Sequence, residues 1–307
     1  MKIAFFEVPK KEQEVFTSYF KGYEALFFEE KLNDSNISLV KEIEVLSVFI
    51  NSVISRKVID LLPNLKFITT RSTGFEHIDL EYCKTKNIKV SNVPSYGSHT
   101  VAEFAFSLIL NLSRNIIDAN NHLRDTMDFN FYSSLQGFDL QGKTLGVIGT
   151  GKIGKNVIKI AKGFEMNVIA YDLYPDLEFA KSNNFVYKTF DEVLAFSDIL
   201  TLHTPYTKEN HHLINKDNIS KMKKGIFIIN TARGALIDTE ALIWGIKTGI
   251  ITEVALDVLE GERDLKIANE IIGANDSEPI DYKMIVENQV LIEMPQVIVT
   301  PHIAFYS

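Results

Sequence analysis

Two series of short, continuously apolar runs, separated by helical or polar stretches, constrain this 307-residue chain more than any other feature. A strand apolar on both faces must be covered on both faces, and strands alternating with helices build a parallel sheet. The first series is Ile3-Ala4-Phe5-Phe6, Tyr23 to Phe28, Val45 to Ile50, Phe67-Ile68-Thr69-Thr70 and Lys89 to Val93. Helical segments such as Glu12 to Phe20 and Lys57 to Leu62 lie between some of these runs. The second series is Thr144 to Ile148, Asn167 to Tyr171, Asp198 to Leu202, Gly225 to Ile229 and Glu253 to Leu256, with Val297 to Thr300 following later. Between the two series, Thr100 to Arg114 is apolar on nearly every helical face and must be buried all round, either in a domain or subunit interface or as a central core helix. A polar, poorly periodic stretch runs from Glu260 to Asn288. At roughly 150 residues per domain, the length fits two α/β domains.

Composition removes several function classes. Lys and Arg number 32 against 40 Asp and Glu, a net charge of −8, and an acidic surface repels phosphate backbones, so no nucleic-acid partner is expected. No run approaches the ~18 apolar residues of a membrane span, and the apolar start after Met1 is too short for a secretory signal. Cys83 is the single cysteine, which excludes an internal disulfide framework and fits a reducing, cytoplasmic compartment.

Gly149-Thr150-Gly151-Lys152-Ile153-Gly154 matches G-x-G-x-x-G. The pattern alone is weak, but here it follows the Thr144 to Ile148 strand and opens an apolar-periodic helix through Val157, Ile158 and Ala161. Such glycines allow a tight turn, backbone approach to a pyrophosphate, and close helix–strand packing, and the helix N-terminus attracts the negative charge. Asp172 ends the next strand, 18 residues after Gly154, where a carboxylate binds adenosine ribose hydroxyls. The following Leu173-Tyr174-Pro175 offers no Arg for a 2′-phosphate, so the expected cofactor is NAD rather than NADP.

Three later motifs each follow a strand: Asn230-Thr231-Ala232-Arg233-Gly234, Asp257-Val258-Leu259-Glu260-Gly261-Glu262, and Thr300-Pro301-His302-Ile303-Ala304-Phe305-Tyr306. Ligands of open α/β sheets bind beyond the carboxyl ends of the strands, where these groups fall. An Arg, a carboxylate and a His there can bind an anion, polarise a carbonyl and transfer a proton. Glu260 competes with Glu262 as the carboxylate beside His302, whereas Arg56 and Arg124 read as surface ion-pair partners.

Together with Arg71 to Leu80, Val93-Pro94-Ser95-Tyr96-Gly97, Thr100 to Glu103 and Leu202-His203-Thr204-Pro205, these motifs resemble the NAD-dependent D-isomer-specific 2-hydroxyacid dehydrogenases. The resemblance runs in order from about 70 to 303, and Tyr96 and His302 to Tyr306 look most like the D-lactate dehydrogenases of that family. It implies two doubly wound parallel-sheet domains. A flavodoxin-like substrate domain would comprise 1–97 plus 296–307, and a Rossmann NAD-binding domain 98–295. It implies that Arg233 binds the substrate carboxylate and carbonyl oxygen. His302 would be the general acid in reduction and base in oxidation, with Glu262 fixing and charging its imidazole. Backbone N–H groups of Thr73 and Gly74, with Tyr96 and Phe305, would contact substrate. Gly149, Gly151, Lys152, Ile153, Gly154, Asp172, His203, Thr204 and Pro205 would line the cofactor site, and Asp257, Thr231 and Ala232 would hold the nicotinamide carboxamide. Family members also continue into a further helix beyond the position of Ser307, without which apolar surface near the first sheet would be left bare.

The expected activity interconverts a small 2-oxo acid and a D-2-hydroxy acid, with pyruvate and D-lactate foremost, in a homodimer paired through the NAD-binding domain. Alternatives are a reductase for a larger, branched-chain or phosphorylated 2-oxo acid, and a catalytically silent NAD-sensing protein. No metal is expected, since His211 and His212 are adjacent and should point apart. His77, His99 and His122 read as structural or exposed, with a place near the cleft as the alternative for His77 and His99, and Cys83 reads as an inert helix residue.

Overall fold

The structure is a computed structural model and describes residues 1–269 and 280–307. The chain divides into two compact units, Met1–Tyr96 and Gly97–Ser307.

The first unit holds strands β1 (Lys2–Phe5), β2 (Glu24–Phe27), β3 (Val45–Val48), β4 (Phe67–Thr70) and β5 (Lys89–Ser91). They form a parallel sheet in the order β2-β1-β3-β4-β5. Successive side chains of β1 alternate between faces, and both faces are covered. Ala4 and Phe6 pack with Leu46, Ile54, Ile68 and Cys83, while Ile3 and Phe5 pack with Phe16, Phe20 and Phe27. Phe5 stacks on Phe27 and Phe6 on Phe28, at 5.0 and 4.5 Å between ring centroids. This two-sided burial is what a continuously apolar run demands.

The second unit holds β6 (Thr144–Ile148), β7 (Asn167–Tyr171), β8 (Val186–Tyr187), β9 (Ile199–Leu202), β10 (Ile226–Asn230), β11 (Ile251–Leu256) and β12 (Val297–Val299). All pairings are parallel, in the order β12-β11-β10-β9-β6-β7-β8. The Ser98–Arg114 helix lies on one face beside the Lys152–Gly163 helix, burying Ala102, Ala105, Phe106, Ile109 and Leu112 against Leu145, Val147 and Ile158. It is a core helix of this unit. The opposite face is closed by Leu236, Leu242, Ile246 and Leu291 over Leu200, Ile228, Val254 and Leu256.

Residues 296–307 depart from the sequence expectation. They belong to the second unit rather than the first, because Val297, Ile298 and Val299 pair with Val254, Ala255 and Leu256 and satisfy their backbone groups at the edge of the larger sheet. The two-residue strand β8 escapes sequence reading because two residues carry no periodicity. The stretch expected to be polar and aperiodic contains two helices, Glu262–Asn269 and Tyr282–Glu293, the second capped by the Asp281 side chain. Residues 270–279 of that stretch lie outside the described residues. Among the described residues, no helix is long and apolar enough to cross a membrane.

Candidate active site on the second unit

The glycine-rich turn sits between β6 and the Lys152–Gly163 helix, with Lys152 and Ile153 in the first helical turn. Gly149 adopts φ +90°, and a Cβ there would meet the His203 carbonyl carbon at 2.7 Å. At Gly154 a Cβ would lie 2.0 Å from the Gly149 carbonyl oxygen, so the helix can approach the turn only without a side chain. Gly151 differs. Nothing lies within 4 Å of its added Cβ, which leaves open space at the positive end of a 12-residue helix.

Asp172, just past β7, is tied to this turn. Its Oδ2 accepts from the Thr150 backbone N–H at 2.6 Å and hydroxyl at 2.9 Å, and its Oδ1 accepts from Tyr174 N–H at 2.8 Å. Thr150 also meets the Tyr187 hydroxyl at 2.8 Å, a contact from β8 that sequence reading did not find.

His203 follows β9 and is buried; its Nε2 meets the Thr201 hydroxyl at 2.9 Å, while its Nδ1 has no partner. Burial pushes its pKa down to about 3, so the ring is neutral. Thr204 and Pro205 continue the same strand end outward. The Thr231 hydroxyl oxygen is a second buried polar atom without a partner, at the end of β10. Buried polar groups are normally satisfied, so these two orphans at the carboxyl ends of β9 and β10 are available to a polar ligand. These residues fit NAD, which would find an open helix N-terminus at Gly151 and unpartnered polar atoms at His203 and Thr231.

Strands β10, β11 and β12 are neighbours with aligned carboxyl ends, Asn230 standing opposite Leu256 and Leu256 opposite Val299. The topology therefore brings Arg233, Glu262 and His302 to one edge region of the sheet. Asn230 shapes the first turn, its Oδ1 accepting from Ala232 N–H at 3.0 Å and its Nδ2 donating to the Arg233 carbonyl at 2.9 Å. The half-buried Arg233 donates from Nη1 to the Ala232 carbonyl at 2.7 Å. A Cβ on Gly234 would fall 1.9 Å from the Leu259 carbonyl carbon, so this glycine lets the Glu260–Glu262 turn pass against the Arg233 turn.

Glu262 Oε1 accepts from Leu259 N–H at 3.0 Å, and its Oε2 lies 2.9 Å from His302 Nδ1. The carboxylate is thus oriented by backbone on one side and orients an imidazole with the other. Glu260, its sequence competitor, turns elsewhere and meets His212 Nε2 at 2.9 Å. His302 itself stands at φ +55°, an uncommon conformation for a residue with a Cβ. The buried Asp257 holds it there: Oδ1 accepts from the Thr300 hydroxyl at 2.6 Å and Ile303 N–H at 2.9 Å, and Oδ2 from Ala304 N–H at 2.8 Å. Phe305 sets its ring edge-on to His302 at 6.3 Å. The anchoring by Asp257 of the whole 300–304 segment was not legible in sequence, where the resemblance implies a cofactor contact for this residue.

In the first unit, Thr73 and Gly74 lie in the loop after β4. Thr73 donates from its hydroxyl to the Val93 carbonyl at 3.0 Å and accepts at its own carbonyl from Asn92 Nδ2 at 2.7 Å. Tyr96 closes this unit, exposed along much of its length, with its phenol pushed up by burial of the remainder. Arg71, at the head of the same loop, is spent on structure: it donates to Ser47 Oγ and to the carbonyls of Phe6 and Glu7.

One expectation is corrected here. His211 and His212 do not point apart: their rings stack at 3.8 Å between centroids, because His212 sits at φ +51° and its side chain swings back beside its neighbour's.

Residues 106–304 match the family model of the D-isomer specific 2-hydroxyacid dehydrogenase, NAD binding domain. A 2-hydroxyacid dehydrogenase homolog of Zymomonas mobilis is 37% identical over 93% of this chain and 84% of its own. An aromatic 2-oxoacid reductase of Clostridium sporogenes is 38% identical over 88% of this chain and 78% of its own. Among solved structures, the D-lactate dehydrogenase of Aquifex aeolicus complexed with NAD and lactic acid superposes with a TM-score of 0.88 at 35% identity, covering 100% of this chain and 90% of that one. A glycine turn open for a dinucleotide, an Arg and a His–Glu pair at adjoining strand ends, and these likenesses have one common meaning: the chain belongs to the NAD-dependent D-isomer-specific 2-hydroxyacid dehydrogenases.

Proposed function

We propose that the protein interconverts pyruvate and D-lactate. The observation that carries the reading is the His302–Glu262 pair, 2.9 Å apart, beside the Arg233 turn. The chemistry that NAD supplies when bound is hydride transfer at the carbonyl carbon. The chain's own residues do the rest. With Nδ1 facing the carboxylate, His302 presents Nε2 as the atom that gives a proton to the carbonyl oxygen in reduction and takes it back in oxidation. Arg233 supplies a planar cation for the substrate carboxylate and for the oxygen on which negative charge develops. Substrate contacts by Thr73, Gly74, Tyr96 and Phe305 belong to the same proposal, as do the cofactor contacts of Lys152, Ile153, Thr204, Pro205 and Ala232. Asp172 favours NAD over NADP because its carboxylate repels a 2′-phosphate.

A homodimer paired through the second unit, working in the cytoplasm, completes the reading. Met127, Phe129 and Phe131 support the pairing, standing 82%, 89% and 94% exposed in one segment. A larger 2-oxo acid is the second reading, favoured by the likeness to the aromatic 2-oxoacid reductase. The test is NADH consumption with pyruvate, phenylpyruvate, a branched-chain 2-oxo acid and a phosphorylated one, with the product's configuration determined. Highest kcat/KM on pyruvate with D-lactate formed is expected. A higher value on phenylpyruvate moves the assignment to the second reading. NADH binding without turnover of any of the four would leave an NAD-sensing protein.

A further inference from the structure

The stacked pair His211–His212 lies on the second unit and serves none of the steps above. His211 and His212 follow a short 3-10 turn, Lys208–Asn210, and face Glu260 from the loop beyond β11. His212 Nε2 is 2.9 and 3.1 Å from the two Glu260 oxygens, and His211 Nε2 is 3.9 Å from Oε1. One nitrogen from each ring and one carboxylate oxygen all lie within 4.8 Å of one another. Glu260 is mostly buried, its side chain 14% exposed, while the two imidazoles are open to solvent at 45% and 32%. A side can therefore admit an ion.

The opposite edges of the two rings are provided for as well. His211 Nδ1 faces the Tyr206 hydroxyl at 3.4 Å, and His212 Nδ1 faces Asp238 Oδ2 at 3.9 Å. Metal-bound histidines carry their remaining proton on the far nitrogen, turned toward a hydroxyl or carboxylate of this kind. The backbone is fixed too: His212 N–H donates to the Ala235 carbonyl at 2.9 Å, and the Glu260 carbonyl accepts from Asn288 Nδ2 at 2.7 Å. Glu260 and Asp238 give the neighbourhood two negative charges against a divalent cation's two positive ones.

We propose that His211, His212 and Glu260 form a site for a divalent transition-metal ion of the zinc type. Two imidazole nitrogens and one carboxylate oxygen suit Zn²⁺ rather than Mg²⁺ or Ca²⁺, and leave a fourth, tetrahedral position for water. The site requires only that the Nε2 atoms, now turned to the carboxylate, close on a shared ion, with each ring's proton on Nδ1. It does not depend on the dehydrogenase reading.

The test is Zn²⁺ titration of the full chain, stripped with a chelator, by competition against a chromophoric zinc indicator. The panel is wild type, His211→Ala, Glu260→Gln, Asp238→Asn and, as a control for binding at the acid–base pair, His302→Gln. Wild type should take one ion per chain, and His302→Gln should keep it. His211→Ala, an exposed substitution whose intact fold is to be checked by circular dichroism, should weaken binding by about 100-fold. Asp238→Asn, which retains an acceptor to cap its helix, should weaken it by about 10-fold. Wild-type affinity retained in His211→Ala, loss of the ion only in His302→Gln, or the absence of one-per-chain binding would each overturn the assignment.

Discussion

At the residue scale, chemistry is divided among side chains that cannot replace one another. Arg233→Lys keeps the charge and loses the planar fork that can hold a carboxylate and a carbonyl oxygen together. We expect kcat/KM on pyruvate to fall by about 100-fold or more, with both kcat and KM affected. Near-wild-type kinetics would remove Arg233 from the reacting centre. His203 makes a different prediction, about stability. Its folded-state pKa of about 3 lies below the ordinary 6.5, so between these values the unfolded chain takes up a proton that the folded chain refuses. Stability from this group is undiminished above about pH 6.5 and is lost as pH falls toward 3, by up to about 1.4 kcal/mol per pH unit. Urea unfolding at pH 7.5 and pH 5 should show about 2 kcal/mol less acid destabilisation in His203→Asn than in wild type. Equal losses in the two proteins would mean that His203 is protonated in the folded state. Sequence placed this residue near the cofactor but held no sign of its burial, which is set by packing from elsewhere in the fold.

At the scale of elements, the 300–304 segment behaves as one piece because a single buried carboxylate receives three of its donors. Asp257→Asn replaces one acceptor oxygen by a donor and must break at least one of these charge-assisted bonds, each worth about 1.5–3 kcal/mol. The expected outcome is a stability loss in that range, read by urea unfolding, together with a fall in kcat, since His302 at φ +55° loses its hold. A variant with unchanged stability and kcat would show that the segment is held by β12 alone. Strands were the most legible elements: Phe67 to Thr70, Thr144 to Ile148 and Asn167 to Tyr171 have the same limits in sequence and structure. Their apolar runs report a burial that any parallel sheet must provide. The glycine turn was equally legible, because Gly149 and Gly154 answer local steric demands that a side chain could not meet. What resisted reading was tertiary. Which of Glu260 and Glu262 meets His302 depends on the turn between them, where Gly261 adopts φ +70°. The side of the chain on which His211 and His212 lie depends on one left-handed residue. The membership of 296–307 depended on which sheet offered a free edge.

At the scale of the whole molecule, the surface carries its own prediction. Apolar side chains as exposed as Met127, Phe129 and Phe131 are costly in water and are expected to be covered by a second copy. Phe129→Glu with Phe131→Glu should convert a species of two chain masses into one of a single chain mass in sedimentation equilibrium. A wild-type protein that already sediments as a single chain would defeat the pairing. The purely parallel pairing of both sheets carries a further consequence, for the route by which the chain reaches its fold. Among the described residues no two neighbouring strands are joined by a tight turn, so none of these pairs can zip as a hairpin from a local start. In the larger sheet β6 must find β9 across more than fifty residues, and β11 must await β12 across forty. Contacts of such separation make folding slow, on the millisecond-to-second scale or longer. Until they close, apolar strands with unpaired edges stay open to one another in neighbouring chains. Recovery of this protein from denaturant should therefore depend steeply on its concentration during refolding, because the fold that best arrays functional groups along strand ends is also one that exposes its strands longest.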